Sequence, residues 1–91
     1  MSFGLASEIA IWERVIQPDR GDLPPGAAQF FLNLAFGQED IDRMHELAVK
    51  NQEGTLSSEE AEALRNYRQI GMQIDLLRSK ARQTIKQRPN L

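Results

Sequence analysis

The chain has no cysteine among its 91 residues and only one histidine, His45. The first absence excludes disulfides and thiolate metal sites. The second leaves histidine-based general-base chemistry a single candidate, which needs a nucleophile and an orienting group beside it. Asp42 and Glu46 lie near His45 on one helix, but nothing completes a constellation, so His45 is read as structural or solvent-exposed. Long apolar runs are missing too. None approaches the 18 residues of a membrane span, and Met1-Ser2-Phe3-Gly4-Leu5-Ala6-Ser7-Glu8 has neither a basic n-region nor an apolar h-region. A cytoplasmic protein with no membrane partner is the expectation. No G-x-G-x-x-G or P-loop pattern occurs, so no phosphate cradle is encoded. The carboxylates Glu39, Asp40, Asp42 and Glu46 meet no partner set at metal-ligand spacing. Helix-start electrostatics explains Glu39 and Asp40, and likewise Glu59 and Glu60. No metal, no cofactor and no catalytic residue are expected.

What is present is the composition of a folded domain. A hydrophobic fraction of 41% with 26% charged residues argues against wholesale disorder, and the length suits one domain with a modest core. The net charge of −2 hides an uneven distribution. Residues 1–64 carry twelve acids against Arg14, Arg20, Arg43 and Lys50, whereas residues 65–91 carry seven bases against Asp75 alone. Such a dipolar chain can engage partners of either sign.

Four helices are predicted, over residues 7–17, 25–36, 38–52 and 58–87. Ser7 is placed to cap the first and Pro18 to stop it. Leu5, Ile9, Trp12 and Ile16 share one face, which Ile11 and Val15 widen. Pro25 suits the first position of the second helix. Residues 26–36 contain no charge, so that segment is either buried between other elements or part of an interface. In the third helix Ile41, Met44, Leu47 and Ala48 form a stripe. Glu53-Gly54-Thr55-Leu56-Ser57-Ser58-Glu59-Glu60 then encodes a helical hairpin turn over 53–57. Gly54 closes one helix in the left-handed region, Ser57 and Glu60 form a capping box, and Leu56 with Ala61 makes a hydrophobic staple.

In the fourth helix Ala61, Leu64, Tyr67, Gly71, Ile74, Leu77, Ala81 and Ile85 recur at a mean spacing close to the 3.5 of a coiled-coil seam. Gly71 lowers helix propensity by ~1 kcal/mol relative to alanine, and a close helix approach there is the expected reason. Thirty helical residues span roughly 45 Å, twice the reach of the third helix. The second half must therefore be covered by helices one and two, by another subunit, or by both. The expected architecture is all-α: three short helices packed on one long C-terminal helix, in a dimeric bundle.

Two candidate surfaces follow. The neutral second helix and the wide part of the seam give a protein interface of Phe30, Phe31, Leu34, Ile70, Met72, Ile74, Leu76 and Leu77. The acid-free run Arg78, Lys80, Arg82, Lys86 and Arg88 gives a possible anion or nucleic-acid contact, or else a solvated helix end whose cations complement the dipole. Trp12 reads as ordinary core, with an interface anchor beside Arg14 as the other reading.

Three blocks resemble a group of small bacterial all-helical proteins. They are Trp12-Glu13-Arg14-Val15-Ile16-Gln17-Pro18, then His45-Glu46-Leu47-Ala48 continuing through the 53–60 turn, and Leu76-Leu77-Arg78-Ser79-Lys80-Ala81-Arg82. Here Pro24-Pro25-Gly26 and Gly37 replace the serine starts of helices two and three, which weakens both caps. The resemblance implies a helical fold. Through gene neighbourhoods shared with HNH-type nucleases and other toxin-like products, it also implies an antitoxin-like or accessory binding partner.

Overall fold

A computed structural model describes residues 7–87. The described residues form four α-helices and no strand: α1 (Glu8–Ile16), α2 (Pro25–Leu32), α3 (Gln38–Glu53) and α4 (Ser58–Gln87). Their contacts divide the chain into two compact units. One comprises Met1–Leu34 and Met72–Leu91, the other Ala35–Gly71, and α4 contributes to both. The N-terminal part of α4 shares its unit with α3, and the C-terminal part shares its unit with α1 and α2.

The hairpin turn forms as the sequence dictates. Gly54 has φ 72°, its amide donates to the Asn51 carbonyl at 3.2 Å, and the Thr55 amide donates to Lys50 O at 2.9 Å. This pair of bonds closes a Schellman motif. Across the turn the Glu60 amide donates to Ser57 Oγ at 3.1 Å, while the Ser57 amide donates to Glu60 Oε1 at 3.0 Å. The capping box is reciprocal and complete. Gly37 and Pro24 offer α3 and α2 no side-chain cap, and α3 begins instead with Glu39 and Asp40 in its first turn.

Two expectations are corrected. Helix two ends at Leu32, not Phe36. Asn33 at φ −91°, ψ 1° leaves the helical region, and amides 33 and 34 donate three residues back, to Phe30 O at 3.1 Å and Phe31 O at 3.2 Å. This tightened last turn releases residues 34–37 into irregular backbone. Gly71, second, does not admit a close helix approach. A Cβ built there would lie 3.9 Å from Phe36 Cε2, an ordinary van der Waals contact. The close approach occurs at Gly21, where a Cβ would lie 2.6 Å from the Gln83 carbonyl oxygen of α4.

Along α4 the seam positions Ala61, Leu64, Tyr67, Gly71, Ile74, Leu77, Ala81 and Ile85 are all buried or half-buried, as the 3.5 spacing requires. The fully covered core is small. Leu47 and Thr84 are the largest completely buried side chains among the described residues.

Candidate functional site

In the first unit, polar groups help fasten α1 to α4. Its N-terminus is closed by Ser7, whose Oγ accepts from the Ala10 amide at 3.3 Å. Its C-terminus runs into Gln17 at φ 55°, a left-handed residue that bears a side chain. The carbonyls exposed by that exit are satisfied from α4: Lys80 Nζ donates to Ile16 O at 2.8 Å and to Gln17 O at 3.4 Å. The same ammonium pairs with Asp22 Oδ1 at 2.6 Å, so its three donors are all engaged. One turn on, Thr84 Oγ1 accepts from the Leu23 amide at 3.2 Å and donates to Lys80 O at 2.9 Å. With Gly21 lying on the α4 backbone, these contacts clamp the 17–23 loop. The hydrogen bond from Lys80 holds the Asp22 carboxyl below the usual carboxylate range. Among the described residues no buried side-chain nitrogen or oxygen lacks a partner.

Fastened this way, α1 buries none of its residues fully. Ile9 and Ile16 are half-buried, whereas Ile11, Trp12 and Val15 are 45%, 38% and 68% exposed. Trp12 is therefore not core, which corrects the first reading of it. The stripe predicted as one wide apolar face divides into a covered edge and an open one. Residues 11, 12 and 15 are neighbours on a helix surface through their i,i+4 and i,i+3 spacings, so the open edge is continuous.

The predicted interface residues have mixed fates. Phe30 is 63% exposed, and Ile70 and Met72 are also exposed. Phe31, Leu34, Ile74, Leu76 and Leu77 are half-buried. Phe30 and Phe31 pack edge to face, with ring centroids 5.6 Å apart. The basic run is divided as well. Lys80 is buried in the clamp, and Arg78 donates from Nε to Leu34 O at 2.9 Å with Asp75 3.9 Å from its Nη1. Arg82 and Lys86 are exposed, and Arg88 lies outside the described residues. Arg82, Ser79 and Gln83 join Pro18 and Asp19 around a shallow cleft of about 370 Å³. Spacing alone could not reveal this division, because a helical lysine that caps another helix looks like any other cation in a basic run.

The second unit carries a different arrangement. Lys50 of α3 pairs with Glu60 of α4 at 2.5 Å, which ties the two arms of the hairpin beside the capping box. The Lys50 hydrogen bond, helped by the Ser57 amide, holds the Glu60 carboxyl down to about 2. Tyr67 donates its phenol proton to Asp40 Oδ1 at 2.7 Å, and this bond raises the phenol above its ordinary value. The Tyr67 ring meets Phe36 edge to face with centroids 5.8 Å apart. Phe36, Tyr67, Ala63, Asn66 and Ile70 line an open, mostly apolar cleft of about 310 Å³. His45 is exposed. Among the described residues no three histidine or acidic side chains are grouped to hold a metal ion, and no helix is long and apolar enough to cross a membrane.

The chain matches no protein-family model, no curated protein and no solved structure.

Proposed function

We propose that this chain is a non-enzymatic helical module that binds another protein, in the manner of an antitoxin-like or accessory partner. One observation carries the reading: the open edge of α1, where Ile11, Trp12 and Val15 stand exposed side by side. Contiguous apolar side chains on a surface mark interaction sites, and tryptophan is enriched among the residues that dominate binding energy. A short amphipathic helix with anchors at these spacings fits an apolar groove on a partner. The same patch can serve an isologous homodimer, since a self-complementary surface repeats on both copies. A nucleic-acid role for the basic run has less support, because Lys80 and Arg78 are engaged with backbone carbonyls. Affinity capture of the tagged chain from its host tests the proposal. A stoichiometric protein partner is expected with the wild-type chain, and recovery of none contradicts it.

A further inference from the structure

The cleft of the second unit combines features that favour one class of occupant. Its walls are two aromatic rings, Phe36 and Tyr67, and an aliphatic side, Ala63 with the exposed Ile70. At the hydroxyl end of Tyr67 sits the Asp40 carboxylate, 2.7 Å from the phenol oxygen. That bond occupies one lone pair of Oδ1 and leaves the other acceptor positions of the carboxylate open to a second donor. Glu59 and Glu62 are exposed one turn before Ala63 and Asn66 on the same helix rows, which makes that end of the rim acidic. Across Ala35–Gly71 the sequence places eight acids against four bases. Arg43, whose charge is felt at Tyr67, is itself paired with Glu46 at 3.1 Å, so a purely apolar occupant would use the rings and Ile70 but leave the remaining acidic charge without a partner. A planar cation on an aliphatic stem uses both.

We propose that this cleft receives an arginine side chain presented by the partner protein. The stem lies along Ala63 and Ile70, the guanidinium meets the Phe36 and Tyr67 rings, and Asp40 accepts its hydrogen bonds. Asn66 supplies a neutral polar group at the wall for the backbone of the same segment. Lysine fits less well, because a compact ammonium neither stacks on a ring nor forms a two-pronged bond with a carboxylate. The inference rests on the reading of the chain as a protein-binding module and names the chemistry that its partner must offer.

The test is a two-dimensional amide NMR titration of the full chain with N-acetyl-arginine amide, N-acetyl-lysine amide and N-acetyl-leucine amide. Arginine is expected to shift the amides of Phe36, Tyr67 and Ile70 and to bind more tightly than the other two. Asp40→Asn keeps an oxygen acceptor for Tyr67 and should weaken arginine binding by about fivefold through loss of the charge-assisted bond. Ile70→Ser, at an exposed position, should weaken it without disturbing the dispersion of the spectrum. Equal shifts with leucine or lysine, no response to Asp40→Asn, or no shift at all would overturn the proposal. Partner capture that persists while arginine fails overturns this inference alone. Arginine binding without any captured partner overturns the functional reading alone.

Discussion

Glu60 shows how much one side chain contributes at the hairpin. It accepts from the Ser57 amide and pairs with Lys50, and both contacts favour the ionised carboxylate. Its folded-state value of about 2 lies below the ordinary 4.5. In the window between those values the unfolded chain binds more protons than the folded one. The stabilisation is therefore complete above about 4.5 and is lost as the pH falls toward 2. Glu60→Gln should flatten the dependence of unfolding free energy on pH across that window, as urea titrations at successive pH values would show. An unchanged slope would mean that Lys50 does not hold Glu60 in solution. Glycine contrasts are also residue-scale. Gly21→Ala should destabilise by roughly 1–3 kcal/mol, because the methyl group meets the α4 backbone. Gly71→Ala should stabilise by up to ~1 kcal/mol, because helix propensity improves with ordinary contact only. Thermal melts of the two variants check the opposite signs.

At the scale of elements, the clamp on the 17–23 loop holds the C-terminal end of α1. Lys80→Met removes the donor to two carbonyls and should cost roughly 1–3 kcal/mol. Hydrogen exchange should then rise first at α1, which has no fully buried residue to retain it. Exchange rising equally throughout α4 would contradict this order. The elements were legible in the sequence to different degrees, for physical reasons. The hairpin turn could be read because Gly54, Ser57 and Glu60 act on backbone groups only a few residues away. The α4 seam could be read because periodicity is a property of one helix. The early end of α2 could not, since the apolar pattern continues past Asn33 while the backbone turns away. Lys80 reads as one more cation of the basic run, and Thr84 carries no signal, because the Ile16 carbonyl and the Leu23 amide that they meet lie more than sixty residues distant. Trp12 reads as core in the sequence but stands exposed in the structure, because an apolar stripe does not say which of its edges will be covered. The Phe36–Tyr67 cleft carries no local signal at all, since irregular backbone after α2 delivers one ring and α4 the other.

For the whole molecule, the small completely buried set leaves much apolar surface open in each unit. The sequence expectation of a dimer therefore stands as part of the proposal. Sedimentation equilibrium at tens of micromolar should return about twice the chain mass of 10.3 kDa if the open edge of α1 pairs with itself. A mass of one chain at every concentration would restrict that edge to a different protein. The most direct measurement compares the wild-type chain with the combined variant Ile11→Ser, Trp12→Ala, Val15→Ser in two readouts, thermal midpoint and stoichiometric partner capture. If α1 presents a binding face, the midpoint should stay within a few degrees of wild type while the captured partner is lost. A collapsed midpoint, or a partner retained at full stoichiometry, would contradict it.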